Sequence, residues 1–322
     1  MTGGGAKLSL RFYEMSVSRF QDWLLFTICS CVLYLTGIFS PILAAPATLL
    51  ISFPTAYLAF QYGAIFALSS VFFSSAVIVF TLSGVWGLLY FTLFGMTGTI
   101  IGLMTKAKLE GGNLLIASTT VEFFGKLGGV LLIHQFYGVN LLSPDAAEIR
   151  KSVIAYGTSH LTEETAYMII DSVILLVPYL IILFSALEAL SCLVLLSYIN
   201  KKRTGETAFC LPPFTSWRFP KSILLTLVVG FICEKASSIV GGNSYLLKQI
   251  GANLGELSKT IFILQGLSCA YFFMEKHGIP KPMRIIVVVM TSLVSFLGDI
   301  FAIVGVADLG FNFRERKDRK PR

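Results

Sequence analysis

Long apolar runs separated by short polar segments dominate this chain from residue 23 onward. A helix that spans a bilayer needs about 20 mostly apolar residues, and most of these runs approach or exceed that length. The runs cover residues 23–40, 42–60, 62–82, 85–105, 113–136, 168–199, 221–241, 255–275 and 283–309. The pattern predicts an all-α fold, a polytopic transmembrane helix bundle with eight or nine membrane segments.

The composition excludes a soluble globular protein. Hydrophobic residues make up 55% of the 322 residues and charged residues only 13%, whereas about a quarter of a typical soluble domain is charged. We therefore expect a single integral membrane domain over residues 1–322. It would include a cytoplasmic basic N-terminus (1–22), an extracytoplasmic amphipathic loop (137–168) and a basic tail (314–322).

The basic residues indicate which side of the membrane each turn occupies. Cytoplasmic loops carry an excess of Lys and Arg, and such residues precede the first run and recur in three later turns. Those turns contain Lys106 and Lys108, the stretch "NKKRTG" at 200–205 with Arg218 and Lys221 after it, and "EKHGIPKPMR" at 275–284. A cytoplasmic N-terminus places all of them in the cytoplasm. The net charge of +7 then reflects membrane topology, so we expect a lipid bilayer and no nucleic acid as a partner.

The C-terminal tail leaves the number of crossings open. Nine full crossings would put the most basic segment, "FRERKDRKPR", outside. The last apolar run is interrupted at Gly298 and Asp299. A broken or interfacial segment there would return the tail to the cytoplasm.

The longest polar stretch, residues 137–168, contains two helix-start signals. Ser143 before Pro144 suits a helix N-terminus, and so does Thr162 before two glutamates. A short surface helix over 143–156 and a lid over a cavity are both compatible with this pattern. Pro178 is expected to kink the long helix that follows.

Three ionisable residues lie in the middle of apolar runs. Glu122 and Lys126 are four residues apart and share one helix face, and Glu188 is the single charge in "LIILFSALEALSCLVLL". A charged side chain at the bilayer centre costs roughly 2.5–3.5 kcal/mol on insertion scales, so it normally faces protein or a wet cavity. Either an internal ion pair or the polar lining of a cavity explains these residues.

Further polar residues at membrane depth extend the candidate site. Gln265 lies in the eighth run and Asp299 in the ninth, and transporter sites are built from several helices near the midplane. The candidate substrate-binding residues are Glu122, Lys126, Glu188, Gln265 and Asp299. No metal-binding or phosphate-binding motif and no catalytic constellation is present. We therefore expect no metal, no cofactor and no enzymatic activity, and any transport would draw energy from a gradient or a partner.

Aromatic and basic residues at the ends of apolar runs predict interfacial anchors. Trp217 with Arg218 precedes one run, and Arg314 with Arg316 follows another. Basic residues near anionic lipid contribute about 1 kcal/mol each. Two glycine pairs, Gly98 with Gly102 and Gly125 with Gly129, have the spacing that lets membrane helices approach closely.

Three motifs in the last third of the chain resemble a known family. They are "LPPFTSWRFPKS", "LQGLSCAYFF" and "GVADLGFNFRER", spread over residues 211–316. They resemble the YybS-like family (domain of unknown function 2232), bacterial multi-pass membrane proteins of undefined function. The resemblance implies a bacterial cytoplasmic (inner) membrane. That family is distantly similar to the substrate-binding components of energy-coupling-factor transporters, which bind vitamins and work with a partner membrane subunit and ATPases. This implies a small-molecule solute and energising subunits as partners.

Two classes of function stay open from the sequence. The first is a solute-binding or transport-related membrane protein that works with a partner ATPase complex. The alternative is a non-transporting membrane scaffold or assembly factor, in which the polar residues only fix helix packing. Clustering of Glu122, Lys126, Glu188 and Asp299 around one enclosed cavity would favour the first class. Their dispersion, with a conspicuous cytoplasmic patch, would favour the second.

Overall fold

The computed structural model describes residues 3–140, 163–240 and 244–316. Within these ranges every regular element is a helix, which confirms the predicted all-α class. The helices are α1 Gly3–Phe39, α2 Pro41–Ile51, α3 Phe53–Tyr62, α4 Ala64–Thr81, α5 Gly84–Tyr90, α6 Met96–Lys106, α7 Gly111–Tyr137, α8 Glu163–Leu175, α9 Val177–Thr204, α10 Ile223–Val240, α11 Tyr245–Lys276, α12 Lys281–Leu293, α13 Ser295–Phe311 and α14 Phe313–Arg316. A π-helical segment, Phe91–Gly95, joins α5 to α6, and a 3₁₀ turn covers Phe214–Ser216.

Among the described residues, seven spans are long and apolar enough to cross a membrane. They are Val17–Phe39, Pro41–Tyr62, Ala64–Thr81, Gly84–Lys106, Gly111–Tyr137, Val177–Thr204 and Tyr245–Lys276. An eighth is added when α12 and α13 count as one broken span. A total of eight spans agrees with the lower of the two predicted numbers, eight or nine, and supports a polytopic bundle. The predicted run 221–241 forms α10, which lies outside this set.

The last apolar run is broken, as predicted, but at a different residue. The segments 281–291 and 296–311 are inclined to each other by 107°, as in a broken span or a re-entrant loop. The chain turns at the extended residue Val294, not at Gly298 and Asp299, which lie in the early turns of α13. A Cβ on Gly298 would come within 3.4 Å of the Ile263 side chain. This glycine therefore allows packing and does not interrupt the helix.

The chain divides into two compact units by its internal contacts. The first unit comprises Met1–Asp145 and Leu180–Cys210, and the second comprises Ala146–Tyr179 and Leu211–Arg322. The boundary near the middle of the chain thus falls just after the start of α9. The single membrane domain over 1–322 stays a prediction.

Glycines at the predicted spacing bring helices of the first unit into close contact. A Cβ on Gly98 would overlap the Ser52 carbonyl, and one on Gly102 would overlap the Ala56 carbonyl. Helix α6 therefore lies directly on α3, as small residues permit in membranes. Gly125 of α7 packs in the same way against Thr97 of α6.

The second unit uses the same device around its long helix α11. A Cβ on Gly266 would overlap the carbonyl of Phe301, and one on Gly305 would overlap the carbonyl of Phe262. Helices α11 and α13 thus meet backbone to backbone.

The predicted break at Pro178 is present and is held by a side chain from another helix. Helix α8 ends at Leu175 and α9 begins at Val177. Asn253 of α11 donates its Nδ2 hydrogen to the Leu175 carbonyl oxygen over 2.8 Å and accepts the Tyr179 backbone N–H over 2.6 Å. These two backbone groups would bond each other in a continuous helix. The asparagine amide has replaced that bond.

The predicted extracytoplasmic loop is described only at its two ends. Helix α7 ends at Tyr137, where Gly138 adopts a positive φ of 71°, and α8 begins at Glu163. Ser143, Pro144 and Thr162 lie outside the described residues. The surface helix and the lid over 143–156 therefore both stay predictions, and residues 317–322 of the tail also lie outside.

Candidate functional site

The structure brings three of the five predicted site residues together in the first unit. Glu122 and Lys126 project from α7, and Glu188 projects from α9. The Lys126 ammonium lies 2.6 Å from Glu188 Oε2 and 3.6 Å from Glu122 Oε2. We call Glu122, Lys126 and Glu188 the charged cluster.

The charged cluster is almost completely excluded from the surface. The side chain of Glu122 is 0% exposed, that of Glu188 is 3% exposed and that of Lys126 is 14% exposed. All three lie well inside helices long enough to span a bilayer. Charged groups in such surroundings are expensive and are usually kept for a function.

Two irregular backbone segments flank the charged cluster. The span Pro41–Tyr62 is interrupted at Ser52, between α2 and α3, because Pro54 has no amide hydrogen to continue the helix. The other segment is the π-helical Phe91–Gly95, just before Thr97. The side chains of Ser52 and Thr97 lie close to the Glu122 carboxylate. Interrupted membrane helices and π-bulges occur frequently at functional sites.

Several buried oxygens near Glu122 have no hydrogen-bond partner among the described residues. They are both carboxylate oxygens of Glu122 and the hydroxyl oxygens of Ser52 and Ser118. Ser118 lies one helical turn before Glu122, on the same face of α7. The Lys126 ammonium is therefore 3.6 Å from Glu122, whereas Glu188 accepts a hydrogen bond from it over 2.6 Å.

The charges of the cluster do not balance when all three groups are ionised. Two carboxylates and one ammonium leave one negative charge in a region of low dielectric constant, where uncompensated charge is costly. The arrangement can therefore hold a cationic group next to Glu122. It can also hold an anionic group on Lys126 if Glu188 releases the ammonium.

Gln265 belongs to a different polar network, in the second unit. Its Nε2 donates to Asp308 Oδ2 over 2.5 Å, and its Oε1 accepts the Phe219 backbone N–H over 3.0 Å. Arg314 joins the same network, with 2.9 Å between its Nη2 and Asp308 Oδ2. The side-chain amide and the carboxylate are both occupied by protein groups. This network fastens the segment before α10 to the helices.

Asp299 also lies in the second unit, in an ion pair with Lys259 at 2.7 Å. These side chains are 55% and 42% exposed, so the pair differs from the buried charged cluster. It lies on a groove of about 790 Å³ whose other lining residues are apolar or glycine. A role of Gln265 or Asp299 in substrate binding stays a prediction.

The four predicted interfacial anchors have different surroundings. Trp217 is half-buried and donates its Nε1 hydrogen to the Pro212 carbonyl, while Arg218 is exposed. Arg314 is buried and donates to the Thr215 carbonyl over 2.7 Å. Its prediction as a lipid contact is wrong because its guanidinium is turned into the protein. The side chain of Arg316 lies outside the described residues.

Sequence reasoning missed an ion pair in the first unit, in which Asp22 is 11% exposed and Arg203 is 44% exposed. Arg203 of α9 donates two hydrogen bonds to Asp22 of α1, over 2.6 and 3.1 Å, and Tyr62 of α3 donates a third over 2.6 Å. In the sequence, Arg203 is marked only as part of the basic turn "NKKRTG". The signal that could have found the pair is an acidic residue, Asp22, at the start of the first apolar run.

Comparisons with known proteins agree with these observations on fold and class. A family model described as "Predicted membrane protein (DUF2232)" matches residues 28–309. The Bacillus subtilis (strain 168) protein described as "Uncharacterized protein YybS" is 23% identical over 256 residues, which cover 75% of this chain and 80% of that protein. The comparison with solved structures finds no match. Because the family model spans most of the chain, the protein belongs to the DUF2232 family of predicted membrane proteins.

Proposed function

We propose that this membrane protein binds a small polar solute at the charged cluster and serves solute uptake or transport. One observation carries the proposal: two carboxylates share a single ammonium in almost complete burial, within helices long enough to span a bilayer. Buried ion pairs are poor stabilising devices, since replacing them by apolar residues is often neutral or favourable. A packing role alone would therefore not favour three charges here.

The geometry suggests how a solute would be held. Lys126 can pair with a carboxylate or phosphate of the solute once Glu188 gives up its hydrogen bond. Glu188 and Glu122 are then free to accept hydrogen bonds from an amine or hydroxyl group of the same molecule. The interruption at Ser52 supplies the backbone irregularity that transporter sites commonly use.

The rest of the proposal concerns setting and partners. We place the protein in the cytoplasmic membrane of a bacterium with its N-terminus inside, on the basis of the basic turns and the Bacillus relative. We propose a non-catalytic role. Since the sequence has no phosphate-binding loop, energy would come from an ion gradient or from a partner complex with its own ATPases.

A ligand screen tests the proposal. Purified protein in mild detergent is heated with panels of amines, carboxylic acids, phosphate esters and vitamins, and its melting temperature is recorded. A ligand at 100 times its Kd stabilises a protein by about 2.7 kcal/mol. We expect at least one class to raise the melting temperature of the wild type and of the surface control Glu275→Gln, but not that of Glu188→Gln.

The alternative function, a membrane scaffold or assembly factor, predicts a different result. No class of solute would then stabilise the protein, and Glu188→Gln would alter only its stability. Proteins that co-purify with the wild type and with Glu188→Gln equally would favour this alternative. Proteins with ATPase activity among them would instead support the transport complex.

A further inference from the structure

Glu122 has fewer close hydrogen-bond partners than Glu188 or Lys126. Its side chain is fully buried, and neither carboxylate oxygen has a hydrogen-bond partner within the described part of the chain. Glu188, by contrast, has Lys126 at 2.6 Å. The one ammonium thus satisfies Glu188 and leaves Glu122 without close compensation.

The residues near Glu122 include hydroxyl groups with unused bonding capacity. Ser52 and Ser118 are buried, and their hydroxyl oxygens also have no partner among the residues described. Thr97 donates its hydroxyl hydrogen to the Leu93 carbonyl over 2.9 Å, so its oxygen can still accept or coordinate. Carboxylate and hydroxyl oxygens are the ligands that hard cations prefer.

The geometry points to an exchangeable monovalent cation at Glu122, either a proton on the carboxylate or a sodium ion held by Glu122 and Ser52. Either ion supplies the one positive charge that the charged cluster lacks. The exchange is balanced: a sodium ion enters, the proton leaves to solvent, and the charge of the cluster stays zero. Sodium and proton sites in membrane transporters lie at interrupted helices of this kind.

This inference deepens the proposed function, on which it rests, because it names the ion that would couple solute movement to a gradient. The ion can nevertheless be tested without any solute. A failure of the ion test would leave the ligand screen unaffected, so the two failures are distinguishable.

The first experiment measures the melting temperature of the ligand-free protein in detergent. Sodium chloride is titrated against choline chloride at constant total ionic strength, which keeps general screening equal. If sodium occupies the site, it raises the melting temperature saturably, by about 5–10 °C at 100 times its Kd. The effect disappears in Glu122→Gln, weakens in Ser52→Ala and persists in the surface control Glu275→Gln.

The second experiment tests the proton and includes the neighbouring charges. The ionisable groups that face Glu122 are Lys126 of the same helix and Glu188 and Cys192 of α9. If a proton occupies the site, sodium has no specific effect and the wild type melts at progressively lower temperature as the pH rises, because deprotonation leaves a buried unpaired carboxylate. Glu122→Gln, which resembles the protonated acid, loses this part of the pH dependence.

A third measurement uses only the wild type, so it does not require any variant to fold. The wild type in weakly buffered detergent is mixed with sodium chloride, with choline chloride as the reference, and a pH indicator records proton release. Release of up to one proton per chain on adding sodium supports exchange at Glu122. The inference is overturned if sodium causes neither proton release nor stabilisation and if Glu122→Gln has the same pH dependence of melting as the wild type. Should Glu122→Gln misfold, Ser52→Ala takes its place in the comparison with the wild type.

Discussion

Replacing Lys126 by methionine removes the only cation of the charged cluster. The ammonium lies 2.6 Å from Glu188 Oε2, which at an effective dielectric constant of about 20 corresponds to an attraction of about 6 kcal/mol before desolvation is subtracted. Breaking a buried pair by removing one partner costs about 3–5 kcal/mol because it leaves an unpaired buried charge. We expect Lys126→Met to lower the free energy of unfolding by that amount.

A double-mutant cycle separates the pair from other effects of the substitution. Glu188→Gln removes the opposite charge, and the double variant lacks both. Since the double variant contains no unpaired partner at 2.6 Å, we expect it to be more stable than the sum of the single losses by about 2–3 kcal/mol. Unfolding is followed in mixed micelles by the fluorescence of Trp23 and Trp86, which both lie in the first unit.

The control is an ion pair of similar length whose carboxylate is exposed. Glu275 lies 3.0 Å from Arg284, and the two side chains are 55% and 12% exposed. Because the Glu275 carboxylate is largely solvated, its loss should approach the cost of an exposed pair, about 0.2–1 kcal/mol. The reasoning is refuted if Lys126→Met is no more destabilising than Glu275→Gln, or if the cycle shows no coupling.

Three further predictions concern helix contacts. Gly305→Leu should destabilise the protein by about 1–3 kcal/mol or more, because its side chain would overlap the Phe262 backbone. The control Gly310→Ala should be neutral because a Cβ there has open space. Equal thermal unfolding of the two variants would contradict this prediction. Asn253→Leu should cost about 1–3 kcal/mol because it withdraws both hydrogen bonds at the break before α9, and unchanged stability would contradict this role. Arg203→Lys should also be destabilising, since lysine cannot form the bidentate contact with Asp22. The control Lys202→Arg, on the same turn, should have little effect. Equal melting temperatures of the two variants would contradict the prediction for Arg203.

The sequence predicted the charged cluster better than its surroundings. Spacing placed Glu122 and Lys126 on one helix face, and an isolated Glu188 in an apolar run had few alternatives to an interior partner. The position of Ser52 beside Glu122 depends on the interruption between α2 and α3 and on the packing of that segment against other helices. Serine is common in membrane helices, so no local pattern marks this one.

Predictions for the second unit were limited by long-range contacts. The basic residues near the C-terminus looked like a lipid boundary, but Arg314 finds Asp308 and the Thr215 carbonyl inside the protein. Likewise, the apolar run around Gln265 contains no sign that its side chain joins that network. A side chain's direction depends on which partner the tertiary fold brings close, and neither hydropathy nor charge spacing contains that information.

Native mass spectrometry of the protein purified in mild detergent tests the central claim most directly, because it weighs whatever the charged cluster retains. The account predicts a discrete small-molecule mass on the wild type and on Glu275→Gln, and its loss from Glu188→Gln and Lys126→Met. A wild type that carries no small molecule, or a bound mass that survives both substitutions in the charged cluster, would contradict the account.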